Sequence, residues 1–146
     1  MDEAHKLASN GAVSGTVVVA DMQSAGRGRV RGRSWASDKG TGLFCTLLLR
    51  YPSISDIPTA LSLRVGLAAS LALADMVPIL TDRLKVKWPN DLVLEGSDAA
   101  CKLGGILCES DGKCVFIGIG INIAQKLPTG ARKESKLYSS GIGFTH

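Results

Sequence analysis

Leu84-Lys85-Val86-Lys87-Trp88-Pro89-Asn90-Asp91-Leu92-Val93-Leu94-Glu95 is the stretch whose pattern decides the fold. Apolar and polar residues alternate on both sides of a Pro-Asn bend, which predicts short strands over Leu84 to Trp88 and Leu92 to Glu95. Two more strands follow, Gly104 to Glu109 and Cys114 to Ile121, reached through turn-forming residues at Gly96-Ser97-Asp98 and Asp111-Gly112. Consecutive short strands joined by tight turns pair antiparallel. Toward the N-terminus, Gly42 to Arg50 reads as another strand, and the β-branched run from Thr16 to Asp21 as a buried one. Pro58 to about Val77 has the length and Ala/Leu content of a helix, ended with the help of Pro78. Glu3 to Ser9 reads as the last turns of a helix closed by Asn10-Gly11. The expected class is α+β: a mainly antiparallel or mixed sheet with helices packed on one face, in a single domain over residues 1–146. The tail from Ala124 to His146 is polar and Gly-rich and takes no element assignment.

Composition removes several function classes. The 146 residues are 45% hydrophobic and carry 17 Lys+Arg, 13 Asp+Glu and 2 His, for a net charge of +4. With only His5 and His146, a histidine-based triad or a histidine-rich zinc site lacks material. Catalysis is expected to run on Lys, Arg, Asp and backbone groups. Ala60 to Leu80 carries Arg64 and Asp75 and meets Pro78, so it reads as a buried helix rather than a membrane span. Asp2 and Glu3 follow Met1 where a signal peptide would place basic residues and an apolar run. Cys45, Cys101, Cys108 and Cys114 lack C-x-x-C spacing, which points to reduced thiols and a cytoplasmic protein.

The chemistry-bearing residues fall in four places. Gly26-Arg27-Gly28-Arg29-Val30-Arg31-Gly32-Arg33 holds four arginines and three glycines in eight residues. Glycines let a backbone approach a ligand, and guanidinium forks match phosphate or carboxylate oxygens, so the loop is a candidate anion site. A solvated basic loop that touches nucleic acid nonspecifically explains the same composition. The loop lies between two strands and closes on Trp35, whose ring suits stacking on a base and equally suits ordinary packing. Lys85 and Lys87 share one strand face and lead to Asn90 and Asp91, an arrangement suited to a phosphate-bearing substrate with Mg²⁺, although a plain hairpin explains Pro89 and Asn90. Lys102 precedes the Gly104-Gly105 pair. Gly118-Ile119-Gly120-Ile121 leaves one strand face bare, with Asn122 at its end, so the two segments outline a groove.

Taken in order, Gln23-Ser24-Ala25-Gly26-Arg27-Gly28-Arg29, Gly32-Arg33-Ser34-Trp35, Lys87-Trp88-Pro89-Asn90-Asp91, Lys102-Leu103-Gly104-Gly105-Ile106-Leu107 and Gly118-Ile119-Gly120-Ile121-Asn122 resemble the successive motifs of the biotin protein ligases. The resemblance implies the biotin/lipoate ligase fold, akin to class II aminoacyl-tRNA synthetases. It implies two steps: biotin and ATP give biotinyl-5′-adenylate, and biotin then passes to a lysine of a biotin carboxyl carrier domain, typically that of acetyl-CoA carboxylase. By motif position, Gln23, Gly26, Arg27, Gly28, Lys102 and Gly105 would bind biotin. Arg29, Arg31, Arg33, Trp35, Lys87, Asn90 and Asn122 would bind ATP. Arg29, Lys102 and Asp91 would act in catalysis, with Asp91 also positioning Mg²⁺ or the acceptor lysine.

The loop between Arg29 and Trp35 is one residue longer than the family's usual spacing, which bears on Arg31 and Arg33. Family members carry Ser-Thr-Asn before the equivalent of Asp2, and further helices with a small β-barrel after the Asn122 motif. The chain therefore reads as a catalytic domain shortened at both ends. It has no helix-turn-helix, so no specific DNA binding is expected, and a homodimer is expected by resemblance. The competing readings are a lipoate or octanoate ligase of the same fold, which would lack this Gly-Arg loop, and a noncatalytic nucleic-acid-binding module.

Overall fold

The computed structural model describes residues 1–30, 32, 34–35, 37–96 and 100–124. The elements run α1 (Asp2–Ser9), β1 (Val17–Ala20), β2 (Gly26–Arg27), β3 (Ser34–Trp35), β4 (Gly42–Arg50), α2 (Leu61–Met76), β5 (Leu84–Lys87), β6 (Asp91–Glu95), β7 (Ala100–Ser110) and β8 (Cys114–Asn122). Six strands form one sheet in the order β1-β4-β8-β7-β6-β5, and β2 and β3 form a separate ribbon. Every pairing between these strands is antiparallel, as the run of short strands and turns predicts.

Alternation along the strands gives the sheet two faces. On one, Leu92, Leu94, Leu103, Ile106, Val115, Ile117 and Ile121 make the main core. The stripe Leu61, Val65, Ala69 and Leu73, spaced four apart on α2, packs against it. Gly66 lets the helix come close, since a Cβ there would lie 3.1 Å from Val86 Cγ1. Complete burial of residues such as Leu92 and Ile106 contributes about 1.5–3 kcal/mol each. The opposite face carries Leu48, Cys114 and Phe116, against which α1 sets Ala4 and Ala8.

The expected class holds, with two corrections of placement. The helices take opposite faces of the sheet rather than one, because Ala4 and Ala8 meet the even-numbered residues of β8 while α2 meets the odd-numbered ones. The second concerns β1, which was expected to be buried and instead lies at the sheet edge, with Val17 55% and Val19 64% exposed. Val17 and Val19 project on the α2 side of the sheet, at the end α2 does not reach, while Val18 packs on the α1 side. Helix α2 also starts later than Pro58 suggests, because Ala60 takes a left-handed backbone (φ 53) just before Leu61.

Helix α1 ends as Asn10-Gly11 predicts, with the left-handed residue being Gly11 (φ 86). Ala12 N–H donates to Leu7 O and Gly11 N–H to Ala8 O, the paired bonds of a Schellman stop. Arg50 at the end of β4 adds Nη2 to Ala8 O at 2.8 Å and Nε to Ala12 O at 2.9 Å, which ties α1 to the sheet.

Candidate functional site

One cross-strand row organises the face away from α2. Lys87 pairs with Asp91, Asp91 with Gly105, Gly105 with Gly120, and Gly120 with Phe44. Residues paired across antiparallel strands project to the same side, so two adjacent glycines leave a bare floor in the middle of that row. The Trp35 ring lies on it. A Cβ on Gly105 would be 3.5 Å from Trp35 Cζ3, and one on Gly120 would be 3.5 Å from Trp35 Cε2 and Cζ2.

A register shift between β6 and β7 brings Lys102 to this face. Leu92 pairs with Gly104 but Val93 pairs with Lys102, so Leu103 is the extra residue and turns into the core. A one-residue slip exchanges the faces of everything beyond it, and without this one Lys102 would point under α2. As built, Lys102 Nζ lies 2.7 Å from Asp91 Oδ1 and 5.2 Å from the centroid of the Trp35 ring. Asn122 closes the groove, with its Nδ2 donating to Lys102 O at 3.3 Å. Asn122 Oδ1 and Trp35 Nε1 are both buried without a hydrogen-bond partner. Buried polar atoms of native proteins are rarely left unpaired, so a donor and an acceptor face this groove in need of partners.

The ribbon that carries Trp35 is held by its own small residue. A Cβ at Gly26 would collide with the Trp35 carbonyl oxygen, so only glycine permits this close pairing. Gln23 Oε1 lies beside the same position, and Gln23 N–H donates to Ser37 Oγ at 2.8 Å. Met1 covers Gly118, further along the bare strip.

The structure thus gathers Trp35, Lys102, Asp91, Gly105, Gly120 and Asn122, with Gly26 and Gln23 at the base of the ribbon. Lys87 is exposed at the end of the same row, and Arg29 is exposed in the loop. Asn90 is spent on the fold: its Nδ2 donates to Ile106 O and its carbonyl accepts from Ile106 N–H, both at 2.8 Å. Arg31 and Arg33 lie outside the described residues.

Arg27 faces elsewhere. Its Nε and Nη2 bind Glu109 Oε1 and Oε2 at 3.1 and 3.2 Å, and its Nη1 meets Asp2 Oδ1 at 2.7 Å. His5 Nε2 donates to Glu109 Oε2 at 3.1 Å while its ring stacks on Phe116, centroids 3.6 Å apart. The Glu109 and Asp2 bonds raise the Arg27 guanidinium above its ordinary value. The Arg27 hydrogen bond lowers Asp2. Burial works against the Glu109 carboxylate, yet the Arg27 and His5 bonds together outweigh it and hold it below the usual range. Sequence reasoning singled out neither Glu109 nor His5; the only sign was an acid on the otherwise apolar run Ile106-Leu107-Cys108-Glu109.

Lys102 engages one oxygen of the Asp91 carboxylate, Oδ1. Among the described residues, no group of three or more His, Cys, Asp or Glu side chains gathers to hold a metal ion. Burial raises the thiols of Cys45 and Cys108, which suits packing rather than nucleophilic attack.

Solved structures with the same architecture exist. The biotin protein ligase of Leishmania major in complex with biotin superposes with a TM-score of 0.75 at 30% identity, over 97% of this chain and 57% of that one. The ligase of Aquifex aeolicus in complex with biotin and ATP gives 0.70 at 32% identity, over 94% and 54%. The bifunctional ligase/repressor BirA of Bacillus subtilis is 41% identical over 128 residues, covering 84% of this chain and 37% of that protein. The chain thus spans between about a third and three fifths of the proteins it matches. A family description, biotin/lipoate A/B protein ligase, matches residues 3–122, which include the glycine floor, its lysine and the ribbon above it; the chain belongs to that family.

Proposed function

We propose that this chain activates biotin with ATP to biotinyl-5′-adenylate and passes the biotinyl group to a lysine of a biotin carboxyl carrier domain. The observation that carries the reading is the bare Gly105–Gly120 floor beneath Trp35 with Lys102 at its edge, in a family whose solved members include complexes with biotin and ATP and with biotinyl-5-AMP. In the first step a biotin carboxylate oxygen bonds to the α-phosphorus as the bond to pyrophosphate breaks. Two anions must meet, so a fixed cation where their charges converge lowers the barrier. Lys102 is that cation, aimed by its ion pair with Asp91, and Arg29 is the second, reaching from the loop to the phosphates. In the second step the neutral acceptor amine attacks the acyl carbon, AMP leaves, and the amine loses a proton.

Gln23 and the backbone of Gly26, Arg27 and Gly28 are assigned to biotin, and Trp35, Lys87 and Asn122 to the nucleotide. Asn122 Oδ1 is suited to an N–H donor such as an adenine amine, which would satisfy a buried acceptor. The engagement of Arg27 by two carboxylates argues against a freely solvated polycation for nucleic acid. The free thiols of Cys45, Cys108 and Cys114 support a reducing cytoplasm. No described helix is long and apolar enough to cross a membrane. The homodimer expected by resemblance is part of the same proposal, and the outer edge of β1 is free to pair among the described strands.

The test is incubation with Mg-ATP and either biotin or lipoate, with product read by mass spectrometry. Biotinyl-adenylate from biotin and no adenylate from lipoate supports the reading. The converse result assigns the site to a lipoate ligase.

A further inference from the structure

The side chains of Arg27, Glu109, Asp2 and His5 form a cluster outside the glycine groove that none of the steps above uses. We propose that Glu109 is a positioning residue: through Arg27 it fixes the β2–β3 ribbon and so holds Trp35 on the glycine floor before any ligand arrives. The proposal rests on the biotin-ligase reading of the groove.

Glu109 and Gly105 lie on the same face of β7, four residues and therefore about 13 Å apart. The ribbon bridges that distance. At one end Arg27 takes both oxygens of Glu109 in a fork, a geometry that sets direction as well as distance. At the other, Trp35 is paired with Gly26, the residue next to Arg27, and rests on Gly105 and Gly120. A displacement of Arg27 is thus transmitted directly to Trp35 through the two-residue ladder.

Glu109 is itself restrained. His5 donates to the same oxygen that Arg27 Nη2 uses, and its ring is stacked on the fully buried Phe116. Asp2 takes the remaining nitrogen of the guanidinium, so all three nitrogens of Arg27 are directed at carboxylates from two other elements. A surface ion pair with one loose partner would contribute little; this one has its base, its acceptor and its outer edge each fixed separately.

The consequence is preorganisation. When only a fraction of molecules is competent to bind, apparent affinity falls by that fraction, while turnover from the bound state is unchanged. Glu109→Gln is therefore expected to raise KM for ATP about tenfold in adenylate formation and to leave kcat within about twofold.

The position of Trp35 is read independently of activity. The chain has two tryptophans, and Trp88 is 76% exposed, so Trp88→Phe leaves Trp35 as the single tryptophan, excited selectively at wavelengths where tyrosine does not absorb. In that background Glu109→Gln should increase acrylamide quenching of Trp35 about threefold, with Glu109→Asp restoring part of the protection and an unchanged far-ultraviolet circular dichroism spectrum. Asp2→Asn, at an exposed carboxylate, should move quenching and KM in the same direction by a smaller factor, and it carries the test if Glu109→Gln does not fold. Unchanged quenching in folded variants, or a fall in kcat with KM unaltered, overturns the proposal. If the wild-type chain forms no adenylate, the functional reading falls, while the quenching comparison still decides whether Glu109 positions Trp35.

Discussion

Gly105 and Ile106 are neighbours on β7 and face opposite environments. Ile106 is 1% exposed in the core beneath α2, whereas Gly105 lies under Trp35 beside Lys102 and Asp91. The same strands thus supply cohesion on one face and chemistry on the other, and alternation keeps the two separate residue by residue. The difference between the faces is one of side-chain volume. The core face is filled by branched aliphatics, and the opposite face is kept low by glycine where the Trp35 ring lies.

The largest effect expected on the site face is that of Lys102→Ala. Loss of a fixed cation beside the floor should slow adenylate formation by about 10²–10³-fold, the usual size for removing a charge-stabilising donor, while the chain still unfolds cooperatively in urea. A rate within threefold of wild type would remove Lys102 from the mechanism. On the other face Ile106→Ala should cost about 2–5 kcal/mol in a denaturant titration, because it opens a cavity in a sealed core. A cost under about 1 kcal/mol would mean that the α2 core is looser than described.

The paired glycines sharpen the contrast. A methyl on Gly104 would lie 2.6 Å from the Gly120 carbonyl oxygen, a backbone atom, so Gly104→Ala should destabilise the fold by about 1–3 kcal/mol. A methyl on Gly105 meets only ordinary van der Waals distances, 3.5 Å from Trp35, so Gly105→Ala should change stability by less than about 1 kcal/mol. Thermal unfolding of the two variants side by side checks this, and equal losses would contradict it.

The smallest effect expected is that of acid. Asp2 is lowered by the Arg27 hydrogen bond, Asp111 by the backbone N–H groups of Cys114 and Lys113, and Glu109 by Arg27 and His5 against its burial. A depressed carboxylate adds stability that is present above its unfolded value, about 4, and is lost as the pH falls through the folded one. Glu109→Gln should therefore cost about 1 kcal/mol or less at pH 7 and nothing measurable near about pH 2. A difference that grows on acidification would reverse the sign of this linkage.

Much of this arrangement was legible in the sequence. Gly42–Arg50 matched its strand to the residue, and the turns at Asn10-Gly11 and Asp111-Gly112 were found from their residue types. Trp35, Lys102, Asp91, Gly105 and Asn122, each marked by its motif in the sequence, converge on one groove. What escaped was long-range. The valines of β1 carry no signal of strand order, so an apolar run read as buried became an exposed edge. The extra residue at Leu103 is invisible to a pattern of period two, although it decides which way Lys102 points. The link from Arg27 to Glu109 spans 82 positions, and neither residue type announces its partner.

The central claim is that the groove bordered by the Gly105–Gly120 floor, Trp35 and Lys102 takes biotin. Calorimetric titration of biotin into the wild-type chain and into Gly105→Val tests it most directly, with thermal unfolding confirming that both are folded. Saturable binding to the wild type that is lost in Gly105→Val is the predicted result. Equal affinity for the two chains, or no binding to the wild type, would contradict it.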